Sequence, residues 1–191
     1  MEEQLLGLLS ARRGHFHLES GHHGNLWLDL DALFLRPAAL LPFTRELARR
    51  LGRHGVEAVV APLVGGALVA EMVAAELDVR FAFAERRTDA GGVTYVIPDA
   101  FHDHLRGCPV AIIDDAINAG SATRATFAAL TALGARPIAV GALLILGETA
   151  LTHFAVNKLA VEAIARLPND LWEPATCPMC AAGEPLNSPS A

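Results

Sequence analysis

The chain has 191 residues, enough for one domain with a sizeable core, and 52% of them are hydrophobic and 19% charged. That composition excludes a disordered chain, and a formal net charge of −6 without a basic block offers nucleic acid no electrostatic footprint. No apolar run reaches the roughly 18–20 residues that span a bilayer, and the start, MEEQLLGLLSARRG, lacks a signal-peptide layout, so the expectation is a soluble, cytoplasmic protein.

Residues 3–12 read as a short helix. Residues 15–30, HFHLESGHHGNLWLDL, alternate around a turn at Gly21 and read as paired strands. Pro37 opens a helix with Leu40, Phe43, Leu47 and Leu51 on one face, and Gly52 and Gly55 close it. Strand, loop and helix then recur. VEAVVAP (56–62) is a buried strand, Gly65 and Gly66 a loop, and 67–77 a helix. VRFAFA (79–84) is the next strand, followed by a polar, glycine-containing excursion over 85–98. PVAIID (109–114) precedes a helix over 121–133 with Phe127, Leu130 and Leu133 inward. Strands at 136–146 and 158–167 complete the set, and the proline-rich tail from Pro168 reads as irregular. Near-continuously apolar strands separated by helices predict an α/β fold, a parallel sheet flanked by helices on both faces. Ligands of such sheets bind beyond the carboxyl ends of the strands, the edge to which Asp114, Gly65 and Glu85–Arg86 all belong.

The stretch VAIIDDAINAGSAT (110–123) carries the chemistry. Ala119, Gly120, Ser121 and Ala122 have little side-chain bulk, so their backbone N–H groups can wrap an anion at the start of a helix, and a phosphate is the natural occupant. The absence of G-K-[ST] argues against a nucleoside triphosphatase. Asp114 and Asp115 would repel a bare phosphate, so they serve another part of the ligand: ribose hydroxyls or a hydrated Mg²⁺. A ribose 5-phosphate activated at C1 by a metal-bound diphosphate unites these features. The plainer alternative is that the acid pair merely caps the following helix.

This stretch resembles the phosphoribosyl-diphosphate (PRPP) signature of the type I phosphoribosyltransferases. GHFHLESGHHGNLWLDL is similar to the N-terminal stretch of orotate phosphoribosyltransferases, VVAPLVGGALVA to their diphosphate loop and AERRTDAGG to their mobile catalytic loop, so the likeness covers residues 14–146. The resemblance implies a Rossmann-like type I phosphoribosyltransferase domain over 1–167, with a small N-terminal hood mainly in 1–36 and a tail over 168–191. It implies transfer of phosphoribose from PRPP to a nucleobase nitrogen, with Mg²⁺, in a homodimer whose mobile loop reaches the neighbouring active site; orotate, in pyrimidine biosynthesis, is the leading acceptor. Asp114 and Asp115 would hold the ribose hydroxyls and a metal-bound water. Asn118, Ala119, Gly120, Ser121 and Ala122 would hold the 5′-phosphate, and Val64 and Gly65 the diphosphate. Arg86 and Arg87 would close over the leaving group, with Gly91 and Gly92 giving the loop freedom. Trp27, Leu28 and Asn118 would meet the base, Trp27 as a stacking wall or, more blandly, as core.

The chain also departs from the family pattern. Glu19 and Gly65 stand where bacterial orotate enzymes carry lysines, Thr88 and Asp89 follow the arginines, and Asn118 replaces a common threonine. Ile145–Leu146–Gly147 occupies the place of an Asp-Arg pair whose arginine reads the orotate carboxylate. A charge-assisted hydrogen bond is worth about 1.5–3 kcal/mol, so another base as acceptor, or a non-catalytic PRPP-binding regulator, stays open beside orotate.

Of three cysteines, Cys177 and Cys180 lie in a C-x-x-C, which is half of a zinc-site spacing. The reading is a free thiol pair, with a structural zinc completed across a dimer as the alternative. His15, His17, His22 and His23 read as a surface cluster beside an anionic ligand, where His22 or His23 could supply charge. Alternation would put His15 and His17 on one strand face, which leaves two metal ligands as the other reading.

Overall fold

The computed structural model describes residues 1–18, 20–89 (Asp89 by its backbone alone) and 92–188, so Glu19 and Gly91 lie outside the described residues. A six-stranded sheet forms its centre. In chain order its strands are β3 (Ala58–Pro62), β4 (Arg80–Asp89), β5 (Gly92–Val96), β6 (Pro109–Ile117), β7 (Arg136–Leu146) and β8 (Ala160–Leu167), arranged β5-β4-β3-β6-β7-β8. All neighbours run parallel except β4 and β5, which are antiparallel.

Successive residues of the central strands point to opposite faces, and both faces are covered. Val59, Ala61 and Ile113 enter a core with Leu40, Phe43, Leu47 and Leu51 of α2 (Pro37–Leu51) and Val69 and Val73 of α3 (Gly65–Leu77). Their neighbours Val60 and Ile112 enter the other core. There they meet Leu105 of α4 (His102–Leu105), Leu130 and Leu133 of α5 (Ser121–Leu133) and Phe154 of α6 (Thr149–Val156). Phe127 is only half-buried. Gly141 lets α2 settle onto β7, because a Cβ there would come within 2.8 Å of Leu51 Cδ1.

A second, three-stranded antiparallel sheet forms a hood: β1 (Ser10–His17), β2 (His23–Asp29) and β9 (Leu171–Trp172), in the order β1-β2-β9. Among the described residues no helix is long and apolar enough to cross a membrane.

Several elements differ from the sequence-based expectation. The first helix, α1, spans only Glu2–Leu6, and the residues from Ser10 instead pair with β2, because tertiary pairing overrides a weak local helical preference. Gly65 and Gly66 form the first turn of α3 rather than a loop. The polar excursion after Ala84 is a hairpin, with Arg86 opposite Tyr95 and Arg87 opposite Thr94. β6 runs on to Ile117, so the acid pair lies inside a strand. The tail is not irregular throughout: it supplies β9 and a short helix, α7 (Pro178–Ala181). The Asn187 N–H donates to the His15 carbonyl at 2.6 Å, and the His15 N–H donates to Asn187 Oδ1 at 2.8 Å.

The histidines also depart from expectation. The β1–β2 register shifts between Arg13 and Phe16. This irregularity buries both His15 and Phe16, while His17 stays exposed. His15 and His23 are 2% and 6% exposed and face Cys177 and Cys180. They are not a surface cluster beside the ligand edge. His22 instead pairs with Glu173 at 3.1 Å.

Candidate active site

At the carboxyl ends of the strands a cleft of about 440 Å³ opens between the hood and the sheet. Leu18, Ser20, Leu26, Trp27, Leu28 and Leu30 line its hood side. Arg86, Val93 and Tyr95 come from the β4–β5 hairpin. Asp114, Ala116, Ile117 and the run Asn118 to Ala122 form its floor, with Ala125 and Leu146 beyond.

The floor follows from local sequence. β6 is apolar up to Ile113, so the chain delivers Asp114 from a fully buried strand, and that side chain is 8% exposed. Its carboxylate accepts the Thr123 O–H at 3.1 Å and the Asp115 N–H at 3.2 Å. Asp115 accepts the Ala116 N–H at 2.8 Å. Burial, and then the charge of Asp115 beside it, push Asp114 well above the ordinary carboxylate range, against the Thr123 hydrogen bond. Burial also raises Asp115, against the Ala116 hydrogen bond. The pair therefore keeps a proton to higher pH than lone carboxylates do.

Gly120 turns the chain from β6 into α5 with φ +73°, and a Cβ there would lie 2.8 Å from Ala150 Cβ, so both conformation and space require glycine. The first turn of α5, whose leading N–H groups have no intrahelical acceptor, begins at the cleft, which Ala119, Gly120, Ser121 and Ala122 line. Arg124 donates to the Ala119 carbonyl from within α5 and braces the loop. Asn118 Oδ1 accepts from Asn169 Nδ2 at 3.0 Å, so the turn after β8 holds that side chain.

Trp27 and Leu28 both line the cleft, and Trp27 packs on Phe16 with ring centroids 5.9 Å apart. Val64 and Gly65 do not line it; Val64 is exposed, and the Leu63–Val64 peptide is cis. Gly65 instead packs under the acid pair, where a Cβ would come within 2.2 Å of Asp115 Oδ2. Arg86 and Arg87 are both exposed, and Arg86 lines the cleft while Arg87 is not among the lining residues. Adjacent strand positions face opposite ways, so the two arginines serve different surfaces.

Sequence reasoning did not single out Thr123, Val93, Tyr95 or Asn169, whereas Leu146 was already marked as standing where the family carries an Asp-Arg pair. Val93 and Tyr95 carried a signal: two positions apart on a strand, they share a face. Asn169 carried none, because it reaches Asn118 across 51 positions. Among the described residues Arg86 is the one cation lining the cleft, and Leu146 occupies the wall at the end of β7.

No protein-family model matches the chain. The orotate phosphoribosyltransferase of Thermotoga maritima is 31% identical over 176 residues, covering 92% of this chain and 89% of that protein. A crystal structure of orotate phosphoribosyltransferase from Aeropyrum pernix matches with a TM-score of 0.65 at 21% identity, over 84% of this chain and 89% of that one. A crystal structure of adenine phosphoribosyltransferase from Thermoanaerobacter pseudethanolicus matches with a TM-score of 0.67 at 18% identity, over 86% and 99% of the two chains. The structural likenesses carry the fold, a helix-flanked parallel sheet shared by type I phosphoribosyltransferases. Identity of this degree along nine-tenths of the chain carries more, and the protein belongs to the orotate phosphoribosyltransferase family.

Proposed function

We propose that the protein, as a soluble cytoplasmic homodimer, transfers phosphoribose from PRPP to a ring nitrogen of orotate and releases diphosphate. The observation that carries this reading is the buried acid pair of β6 running directly into the Gly120 loop and the start of α5, across a cleft from Arg86. The backbone amides of residues 119–122 and the positive end of α5 suit a 5′-phosphate. Asp114, oriented by Thr123, accepts hydrogen bonds from ribose hydroxyls. As the C1–oxygen bond to diphosphate breaks and the nitrogen–C1 bond forms, positive charge grows at C1. The carboxylates beneath the sugar stabilise that charge, and Arg86 faces the negative charge gathering on the leaving group. Trp27 supplies an aromatic face and Leu28 a further apolar contact for the base. The exposed Arg87 is assigned to the neighbouring subunit's cleft.

Mg²⁺ would fit the donor set, because Asp114 and Asp115 bring two adjacent carboxylates, hard oxygen ligands, to the end of β6. Bound with PRPP, the ion would neutralise part of the charge on the departing diphosphate.

One observation favours a second reading. The base side of the cleft is apolar and carries Leu146 rather than a cation, which suits an acceptor without a carboxylate. Incubation with PRPP, Mg²⁺ and a panel of bases, with diphosphate as the readout, decides between them. Release with orotate is the expected result. Release only with an uncharged base replaces orotate as the acceptor. Tight PRPP binding without release for any base makes the protein a non-catalytic PRPP-binding regulator.

A further inference from the structure

Four side chains outside the cleft converge without serving it. His15 from β1, His23 from β2, and Cys177 and Cys180 flanking the start of α7 bring one ligand atom each to within 4.8 Å of one another. The separations are specific. His15 Nε2 lies 3.0 Å from His23 Nδ1, 3.4 Å from Cys177 Sγ and 3.7 Å from Cys180 Sγ, and Cys180 Sγ lies 3.2 Å from His23 Nδ1. A tetrahedral zinc with Zn–N about 2.05 Å and Zn–S about 2.3 Å requires ligand separations of about 3.3 Å (N–N), 3.6 Å (N–S) and 3.8 Å (S–S). Four of the six separations lie within about 0.4 Å of these values, and the other two, both from Cys177 Sγ, fall within 4.8 Å.

The surroundings complete the set. The other ring nitrogen of His15, Nδ1, lies 2.8 Å from the Glu184 carbonyl, an acceptor only, so Nδ1 carries the proton and Nε2 presents a lone pair to the cluster. Three of the four residues are buried, Cys177 at 3% exposed. A closed set of two thiolates and two imidazoles, with no position left for substrate, is the donor chemistry of structural zinc rather than of a catalytic or magnesium site.

We infer that the protein binds one structural Zn²⁺ per chain through His15 Nε2, His23 Nδ1, Cys177 Sγ and Cys180 Sγ, pinning the tail to the hood. The thiols of Cys177 and Cys180 lose their protons to solvent on binding, and no electron is transferred. All four ligands come from one chain, so no dimer is needed to complete the site. Its consequence is positional. β2 carries His23 four residues before Trp27 and five before Leu28, so the metal anchors the strand that forms the base wall of the cleft. The inference stands independently of the acceptor, because it concerns metal content.

The test uses the untagged full-length chain purified under reductant. Elemental analysis should find close to one zinc per chain, and replacement by Co²⁺ should give the visible bands of a tetrahedral site with thiolate-to-cobalt charge transfer. Chelation of the wild-type chain should shift the fluorescence of Trp27 and Trp172. Cys180→Ser, at the exposed corner, should weaken zinc retention against a chromophoric chelator at least tenfold, and Cys108→Ala should leave it unchanged. If Cys180→Ser fails to fold, the wild-type cobalt spectrum decides alone. A chain that carries no zinc and takes up neither added Zn²⁺ nor Co²⁺ overturns the inference. So does an octahedral cobalt spectrum without charge transfer, or a Cys177–Cys180 disulfide persisting under reductant.

Discussion

Asp114 and Asp115 are adjacent, yet their surroundings divide their work. Asp114 faces the cleft and is held by Thr123, whereas Asp115 lies over Gly65 and is held by the Ala116 amide. Asp115→Asn keeps an oxygen for that amide while removing one of two crowded charges. Turnover should fall on the order of 10²-fold, as expected when one pre-placed electrostatic group is lost, with the melting temperature near pH 7 unchanged or raised. The pH dependence follows from the same crowding. Both carboxyls titrate above their ordinary value of 3.8 in the folded chain, so above that value the native state holds protons that the unfolded state has released. This pair therefore makes stability fall as pH rises from about 3.8 through the raised native values. Thermal melts across that range should show a shallower decline for Asp115→Asn than for the wild type. The two glycines beneath make a paired test. A Cβ at Gly66 would meet Asp114 Cα and the Ile113 carbonyl, both at 3.1 Å, as well as Asp114 Oδ1 at 2.6 Å, while at Gly65 its three nearest neighbours are all atoms of the Asp115 carboxylate. Gly66→Ala should cost roughly 1–3 kcal/mol of stability in denaturant melts. Gly65→Ala should cost less stability and act mainly on turnover, through a displaced Asp115.

At the scale of elements, the β4–β5 hairpin separates two arginines that the sequence leaves as a matched pair. Arg86→Ala should reduce kcat/KM roughly ten- to a hundredfold, the worth of one charge-assisted contact, with the loss in kcat if Arg86 acts on the leaving group in the transition state. How far each element can be foreseen depends on how local its causes are. α5 starts at Ser121 and ends at Leu133 as its own residues dictate, and the strand over 136–146 agrees from first residue to last. The small-residue loop and the acid pair are likewise legible, because bulk and charge are written in consecutive residues. The hairpin is less so: residues 85–98 are polar and glycine-containing, and only pairing across the turn makes them strands. The metal cluster depends on non-local structure altogether. The register shift in β1 that turns His15 inward leaves no mark in hydrophobic alternation, and Cys177 lies 162 positions away.

The whole molecule joins two sheets and, in the proposed dimer, two clefts. Assigning Arg87 to the neighbouring subunit makes a prediction that no single chain can. Arg87→Ala and Asp115→Asn chains, each weakly active alone, should regain about a quarter of wild-type sites when dissociated and mixed, since half of randomly paired dimers would hold one intact cleft. No gain over the sum of the separate activities would assign Arg87 to its own cleft or to none. The hydrogen bonds between His15 and Asn187 close a span of 172 positions and bind the hood to residues near the other end of the described chain. During synthesis, at roughly 5–20 residues per second, β1 and β2 emerge long before β9, and the parallel sheet can assemble while the free edge of β2 still waits for Leu171 and Trp172. A nascent chain paused before that point would present an open β edge to the crowded space outside the ribosome, where edge-to-edge association begins.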